Sequence, residues 1–373
     1  MDLIDLALAG KIGRGAAPAV EPPVIEPPAY VYECTGDKDT FKLATIINVF
    51  FNSGAEMSKK IIITGTMGLS NVTTELNINA ANARGAVCYL DFTDCDIPPG
   101  SSTSGYFMML GNGARLDVEG LRISNFNYGV YLGTSGGRHR FSQCSVKART
   151  SAVVTTPGCN QNIFTDCELI GVSESSSAAV AGLTLQSSNN VFSNCILSGS
   201  GISSVSGANV GHGVRLLSTD IKSNHFNGCI ISGNNYGVEI AAIGNSVFVG
   251  CDITGLDGKP YSYSHAVFQP SGAAGSAAFV GCRFEGEQCA IRLTSVDPEA
   301  EVILIACNVK STFDNGNFYY AIEHASNASK LTVLGCRFTA PAIKAGNVSN
   351  LYFKVDSRVY MPEFANRFNC TVQ

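Results

Sequence analysis

The hydrophobic pattern of this chain is a repeat, Phe-x-x-Cys-x-apolar, and each copy predicts a short buried strand. Six clear copies follow one another, and weaker copies extend the series in both directions. Their cysteines are 22 to 34 residues apart, which indicates strands of fixed length joined by loops of variable length. The clear copies are Phe141/Cys144/Val146, Phe164/Cys167/Leu169, Phe192/Cys195/Leu197, Phe226/Cys229/Ile231, Phe248/Cys251/Ile253 and Phe279/Cys282/Phe284.

A second pattern, a small residue followed by an aliphatic one, returns after each cysteine slot. With the alternation of apolar and polar residues, it predicts at least two strands per turn, each with one side facing the interior. Nothing in this region reads as a long helix, which excludes leucine-rich, TPR and ankyrin repeats. The sequence therefore predicts an all-β fold, a right-handed parallel β-helix, over residues 71–350. The pairs are Gly129-Val130, Ala152-Val153, Gly182-Leu183, Gly213-Val214, Gly237-Val238, Ala266-Val267, Ala290-Ile291, Ala321-Ile322 and Ala342-Ile343.

The 14 cysteines do not predict a disulfide framework, although their number invites one. Most recur at one interior position, where stacked side chains point in parallel, whereas a disulfide needs Cβ vectors that point at each other. We therefore expect a column of reduced thiols. Pairs of the CxxC type are absent, so no metal site is expected. Asparagines before the Phe strand, Asn162, Asn190, Asn224 and Asn245, predict a stacked turn ladder.

The two ends of the chain differ from the repeats. Residues 1–15 carry apolar residues at helical spacing, and residues 16–30 form a proline-rich linker, so the start predicts either a docking peptide on a stiff spacer or a disordered tail. Residues 31–70 predict a capping helix, with Asp39 as its N-cap, and a first strand at 61–64. Residues 351–373 are expected to cap the other end. The apolar residues of the docking peptide are Leu3, Ile4, Leu6, Leu8 and Ile12.

Composition narrows the possible partners. The net charge is −5 and only 15% of residues are charged, so no basic stripe is available for nucleic acid. No apolar run is long enough to insert into a membrane. Asp2 and Asp5 stand where a signal peptide would carry basic residues, so export by that route is not expected.

The chain resembles the pectin-lyase-like β-helix proteins of tailed bacteriophages, the virion fibres and tailspikes. The resemblance rests on the entry segment TGDKDTFKLATIINVF, the FxxC and Gly-Val signatures, and the first segment MDLIDLALAGKIGRG, which is similar to the anchoring peptides of phage fibres. It implies a virion location, attachment to a capsid or tail protein through residues 1–15, a parallel homotrimer, a host-surface glycan as ligand and no cofactor. It does not specify an activity, because this fold carries lyases, hydrolases and pure binders.

Candidate catalytic residues are weak. His212 lies in a Gly-His-Gly motif like that of polygalacturonases, but it occupies a slot that Tyr128, Tyr236 and His265 fill in other turns, so it is interpreted as a repeat position. Glycoside hydrolysis needs two carboxyl groups, and adjacent turns offer carboxylates, although these are better explained as solvated surface, because outward strand positions must be polar in any case. Glu239 and Asp252 are the first pair to test. The candidates are Asp220, Glu239, Asp252, Glu285 and Glu287.

Loop lengths give a further clue. The interval from the cysteine slot to the next small residue is 8 residues in several turns but 14 to 18 in four others. These expansions leave one corner of the solenoid, and two of them combine aromatic and polar residues suited to sugar rings. Packing of the loops against the body or a neighbouring subunit explains them equally well. The predicted glycan-binding residues are Asp257, Lys259, Tyr261, Tyr263, His265, Phe313, Asp314, Asn317 and Tyr319.

Three functions remain open at this point. The leading hypothesis is a non-enzymatic virion fibre that binds host-surface or mucosal glycans. The second is a tailspike that depolymerises a surface polysaccharide. The third is a purely structural decoration of the particle.

Overall fold

The computed structural model describes most of the chain between residues 29 and 354, together with 371–372. The described ranges are 29–53, 58–70, 73–79, 86–100, 105–111, 113–133, 137–176, 179–203, 210–217, 221–241, 244–256, 264–287, 289–312, 320–324, 330–338, 343–345, 351–354 and 371–372. One helix, α1 (Asp39–Asn52), lies between the first and second of a series of parallel strands in this part of the chain.

The strands, numbered in chain order, form three stacks that run along the solenoid. The first stack contains the Phe strands and is a sheet of 14 strands in the described residues. Its members are β1 (Ala29–Glu33), β2 (Lys59–Thr66), β4 (Cys88–Asp96), β6 (Leu116–Glu119), β8 (Arg140–Ser142), β10 (Ile163–Thr165), β13 (Val191–Ser193), β16 (Ile221–Asn227), β19 (Gly244–Val249), β22 (Gly275–Val280), β25 (Glu301–Ile305), β28 (Lys330–Leu334), β31 (Leu351–Lys354) and β32 (Thr371–Val372).

The second stack follows the cysteine corner. Its members are β7 (Arg122–Leu132), β9 (Ser145–Thr155), β11 (Glu168–Ser176), β14 (Ile196–Ser203), β17 (Ile230–Gly233), β20 (Asp252–Gly255), β23 (Arg283–Gly286), β26 (Asn308–Ser311) and β29 (Arg337–Phe338).

The third stack follows the small-aliphatic signature, and the long strands β7 and β9 run from the second stack into it. Its other members are β3 (Thr74–Asn79), β5 (Tyr106–Gly111), β12 (Val180–Leu185), β15 (Gly211–Leu216), β18 (Tyr236–Ile240), β21 (His265–Gln269), β24 (Cys289–Leu293), β27 (Tyr320–His324) and β30 (Ile343–Ala345). Three parallel stacks of short strands confirm the predicted β-helix.

A column of phenylalanine rings fills the interior beside the first stack. Phe141, Phe164, Phe192, Phe226, Phe248 and Phe279 pair in register from β8 to β22. Successive ring centroids are 4.4 to 5.0 Å apart, and the planes are within 17° of parallel. The repeated Phe therefore sets both the register and the rise of the solenoid.

The cysteine slot follows a tight corner. The residue directly before it has a positive φ in every clear copy, from Gln143 at 53° to Gly281 at 63°. The thiols then point inward, as the Cys195 Sγ does at 3.5 Å from the carbonyl oxygen of Phe164 in the preceding turn. All 13 cysteines among the described residues are free, as predicted. Burial raises the pKa of the Cys88 thiol, which lies outside this slot, to about 12, so that thiol stays protonated.

The asparagine ladder holds for three residues. Asn162, Asn190 and Asn224 are buried, and the amide of each of the first two donates to the Oδ1 of the next at 2.8 and 2.9 Å. Asn245 was predicted to continue the ladder and does not. The ladder residues stand two positions before their Phe, but Asn245 stands three before Phe248, so Ser246 lies opposite Asn224 and Asn245 is exposed.

The N-terminal end is held by Asp39, which is the first residue of α1 and not its N-cap as predicted. Lys38 is the N-cap, in the left-handed conformation and without a side-chain bond to the helix. The fully buried Asp39 carboxylate accepts N–H groups from Thr35, Gly36 and Gly68 at 2.8 to 3.2 Å. It therefore ties the chain before the helix to the loop after β2.

Residues 1–28, including the predicted docking peptide, lie outside the described residues, as do residues 355–370 of the predicted C-terminal cap. Strands β31 and β32 continue the first stack. Nothing helical in the described ranges could span a membrane.

Candidate functional site

The outer surface of the third stack gathers chemically active side chains at consecutive turns. A bend at the start of each strand decides which residues face outward. In β15, Val214 and Leu216 are buried in the core, and a Cβ at Gly213 would lie 2.6 Å from Cγ2 of Ile231. Gly213 therefore faces inward, so His212 and Arg215 point away from the core, where His212 is buried and Arg215 is partly exposed.

The register repeats this arrangement along the stack and produces two outward ladders. His212, Tyr236 and His265 are aligned in one of them. The second ladder runs through the next outward position of β15, β18, β21, β24 and β27. We call the two ladders together the third-stack face. It consists of His212, Arg215, Tyr236, Glu239, His265, Phe268, Arg292 and Glu323.

An aromatic group occupies the middle of this face. The rings of Tyr236 and Phe268 have centroids 4.4 Å apart with planes inclined by 29°. His265 lies parallel to Tyr236, 5.8 Å away. Tyr236 and Phe268 are both partly exposed. Because the two rings stack on each other, they form an apolar column along the solenoid, called the platform below, with the Tyr236 hydroxyl at one edge.

Charged pairs flank the platform on both sides. Nε of Arg215 lies 2.7 Å from Oε2 of Glu239, which also lies 3.5 Å from Nδ1 of His212. Nε of Arg292 lies 3.2 Å from Oε2 of Glu323, close enough for an ion pair but without hydrogen-bond geometry. These four charged side chains are 14% to 34% exposed, so a ligand can reach them.

Burial keeps both histidines of the face neutral. It lowers the pKa of His212 to about 3, helped by the Arg215 guanidinium, and the pKa of His265 to about 4. Nδ1 of His212 and Nε2 of His265 are buried without a hydrogen-bond partner in the described residues. Burial and then the Glu239 carboxylate raise the pKa of Tyr236, so its hydroxyl remains a donor.

The predicted carboxylate pair is not brought together. Glu239 lies on the third stack, whereas Asp252 lies on the second stack and is bound by Arg283 at 3.0 Å. Glu285 is bound by Lys310 at 2.9 Å, and Glu287 is buried just after β23. Adjacent turns therefore supply each of the first three with a basic partner in place of a second carboxylate.

The predicted glycan-binding set is only partly described. His265 was expected at the surface, but it is 1% exposed and its Nδ1 lies 2.8 Å from the carbonyl oxygen of Cys289, so its role is packing beneath the platform. His212 is in register with Tyr236, which confirms it as a repeat position. Outside the described residues lie Asp257, Lys259, Tyr261, Tyr263, Phe313, Asp314, Asn317, Tyr319 and Asp220.

Five residues of this face were missed at the level of the sequence. Each except Tyr236 directly follows the small-aliphatic signature, so a signal was present in the position but not in the residue type, which varies from turn to turn. The five are Arg215, Tyr236, Phe268, Arg292 and Glu323. Among the residues that the structure describes, no group of three or more His, Cys, Asp or Glu side chains could hold a metal ion.

Solved structures that are similar to this chain include three carbohydrate-active enzymes, each less than 15% identical to it. The catalytic domain of a GH87 α-1,3-glucanase, solved in complex with tetrasaccharides, is 13% identical over 79% of this chain, with a TM-score of 0.47. This chain covers 61% of that domain. The pectate lyase Pel9A is 12% identical over 91% of this chain and 82% of its own, with a TM-score of 0.45. An alginate lyase from Paenibacillus sp. str. FPU-7 is 11% identical over 87% of this chain and 97% of its own, with a TM-score of 0.40.

No curated protein matches the sequence. Residues 77–253 match the family model described as a right handed beta helix region. That segment contains the clear Phe-x-x-Cys copies from Phe141 to Ile253 and the strands from β4 to β19. The strand register and this match agree that the chain folds as a right-handed parallel β-helix.

Proposed function

We propose that this protein binds polysaccharide on its third-stack face. The observation that carries the proposal is the stacked pair Tyr236 and Phe268, set between Arg215–Glu239 on one side and Arg292–Glu323 on the other. Sugar rings have apolar faces that pack on aromatic planes and hydroxyl edges that need donors and acceptors. The face offers both within a few turns of the solenoid.

The ligand would lie along the solenoid axis, because the polar partners repeat in that direction. Successive turns are about 4.8 Å apart, so Arg215, Phe268 and Arg292 meet different parts of an extended chain. A sugar carboxylate would compete with Glu239 or Glu323 for an arginine, since bidentate binding of carboxylates is what a guanidinium does best. The proposal therefore favours an acidic polysaccharide.

The biological setting within this proposal is the particle of a tailed phage. Residues 1–15 would dock on a capsid or tail protein, three copies would assemble in parallel, and the glycan would belong to the host surface or mucosa. The support for this setting is the sequence resemblance of the entry segment and the first residues. Its test is deletion of residues 1–15, which should leave the folded body intact and remove it from particles.

Cleavage of the polysaccharide is the second candidate function. It is favoured by the Glu239 carboxylate beside the neutral His212 and the Tyr236 hydroxyl, which could serve a proton abstraction next to a uronate carboxyl. Hydrolysis is less well supported, because Glu323 stands three turns from Glu239, about 14 Å at the usual strand spacing, beyond the 5 to 9.5 Å of glycosidase pairs. Cleavage stands second because a pKa of about 3 makes His212 a weak base.

The test incubates the purified protein with envelope polysaccharides of candidate hosts. Retained polymer, new reducing ends and the ultraviolet absorbance of unsaturated products are measured in the same samples. Arg215→Ala and Phe268→Ala should each weaken binding about tenfold, whereas Arg283→Ala on the second stack should not. Equal binding by all three variants would contradict the proposal, and unsaturated products would promote the second candidate.

A further inference from the structure

A separate cleft of about 520 Å³ lies on the outer surface of the first stack, near the N-terminal end of the solenoid. Strands β2, β4, β6, β8 and β10 form its floor. Its size falls within the range of small-ligand pockets, about 300 to 1,000 Å³. We call it the first-stack cleft. The polar side chains that line it belong to Lys60, Tyr89, Asp91, Asp117, Glu119, Arg140, Ser142 and Thr165.

The charges in this cleft are not arranged for the stability of the sheet. Asp91 and Glu119 stand directly opposite each other on β4 and β6, and like charges in that relation are destabilising. Lys60 reaches only one of them, with its Nζ 3.8 Å from Oδ2 of Asp91. Glu119 is exposed and no ion pair forms to it within the described residues. Negative charge is therefore left over at this end of the cleft.

Opposite charges in the cleft do not pair either. Asp117 and Arg140 are register neighbours on β6 and β8, yet no ion pair or hydrogen bond joins them. Elsewhere the same relation does produce ion pairs, as for Arg215 with Glu239, Asp252 with Arg283 and Glu285 with Lys310. The cleft therefore departs from the way this solenoid usually neutralises its outward charges.

The Asp117 carboxyl provides the clearest case of an unsatisfied hydrogen-bond acceptor in the cleft. Its Oδ1 is buried and has no hydrogen-bond partner among the described residues, and a buried acceptor in that state is costly. Burial raises the pKa of Asp117, although the Arg115 and Arg140 guanidinium groups act in the opposite direction. The cleft thus contains a carboxyl acceptor at Asp117 and guanidinium donors at Arg140 that do not bind each other.

The surplus negative charge, the unsatisfied acceptor and the guanidinium donors together indicate the class of ligand. The carboxylates do not converge tightly enough for a metal ion in the part of the chain that the structure describes, so the surplus negative charge suits an organic cation. A lysine side chain of a protein partner offers only donors, so it has no acceptor for the Arg140 guanidinium. A saccharide with an amino group offers an ammonium, hydroxyl donors and ring-oxygen acceptors together. We propose that the first-stack cleft binds an amino sugar, with its ammonium between Asp91 and Glu119 and its hydroxyls at Asp117 and Arg140.

Two matched probes test this site on the full chain. A glucosamine tetramer and an N-acetylglucosamine tetramer differ in the charged amine, and their binding is measured by calorimetry at a pH below the pKa of the amine. We expect the glucosamine tetramer to bind more tightly, and Glu119→Gln to weaken it about tenfold by removing one charge-assisted contact. Glu285→Gln on the second stack is the matched control and should leave binding unchanged.

The outcomes separate this site from the third-stack face. Equal binding of both tetramers, binding of neither, or an unaltered affinity in Glu119→Gln would each overturn the proposal. Arg215→Ala should not alter binding of the glucosamine tetramer, so failure of the polysaccharide proposal leaves this result interpretable. Without ligand, Glu119→Gln should raise Tm by relieving the repulsion with Asp91, and a fall in Tm would show that Glu119 serves the fold.

Discussion

The third-stack face and the first-stack cleft use the same construction in opposite ways. Both consist of outward side chains that the strand register aligns from turn to turn. On the third-stack face, Arg215 and Glu239 alternate in sign and pair at 2.7 Å. In the cleft, Asp91 faces Glu119 and Asp117 does not bind Arg140. In a regular solenoid, a turn whose outward charges do not pair is easy to recognise, because the equivalent positions of other turns can be compared with it.

The difference teaches where to look for function in a repeat protein. Paired charges on adjacent strands contribute modestly to stability and are available to a ligand only by exchange. Unpaired charges reduce stability and are retained where a ligand completes them, since local rules of folding are most often broken at functional sites. Three experiments, each centred on one carboxylate, measure this contrast, from the largest expected effect to the smallest.

Asp39→Asn should cause the largest loss of stability of the three, because groups of the fold itself donate the hydrogen bonds to this carboxylate. Burial alone would raise the pKa of Asp39, but the N–H groups of Gly68, Thr35 and Gly36 outweigh it and the pKa is lowered. We expect a loss of about 2 kcal/mol in the free energy of unfolding at neutral pH, the scale of hydrogen bonds to a charged group. Urea unfolding measures it.

The pH dependence checks the cause of that loss. A lowered pKa contributes stability that is present above the ordinary carboxyl range and disappears as pH falls through the folded-state value. The gap between Asp39→Asn and wild type should therefore narrow in acid. A gap that stays constant with pH would contradict the charge-based explanation.

The Arg215–Glu239 pair should show an intermediate effect. A double-mutant cycle with Arg215→Ala and Glu239→Ala should give a coupling of about 1 kcal/mol, because the pair is partly buried. The Asp252–Arg283 pair is the control, since its side chains are 44% and 62% exposed, and it should couple by less than about 0.5 kcal/mol. Equal couplings would remove the distinction between the third-stack face and ordinary surface.

Asp117→Asn should show the smallest effect and the opposite pH trend. The folded protein holds the Asp117 proton more tightly than the unfolded chain, so the contribution of this residue is complete at low pH and is lost as pH rises through its raised pKa. Relative to wild type, the variant should gain stability as pH rises, by less than about 1 kcal/mol. Thermal unfolding across the acid range measures the trend, and a relative loss at neutral pH would show that Asp117 stabilises the fold.

The sequence predicted the interior much better than the surface. The Phe and Cys slots repeat both position and residue type, because a close-packed column accepts few alternatives. Outward positions also recur at a fixed place in each turn, but the residue type at that place varies. Arg215, Glu239 and Phe268 share one ladder but no chemical property, so only the register reveals that they are neighbours.

The first-stack cleft escaped prediction for a related reason. Asp117 and Glu119 read as the ordinary polar positions of an alternating strand, and Asp91 joins them through a loop whose length does not recur. The two local errors were shifts of one position. Lys38 takes the cap in place of Asp39, and Ser246, which stands two residues before Phe248, takes the ladder position in place of Asn245.

The column of rings from Phe141 to Phe279 gives the solenoid a nearly constant rise of 4.4 to 5.0 Å per turn. The outward residues are spaced by the same rise, so their side chains present chemical groups at regular intervals along the solenoid. A polymer that lies along the solenoid is already bound at one turn when it meets the next. Its second and later contacts therefore form at a high effective concentration. If the third-stack face binds a polysaccharide, as we propose, its affinity should therefore rise with the length of the polymer, and short fragments should dissociate faster than long chains.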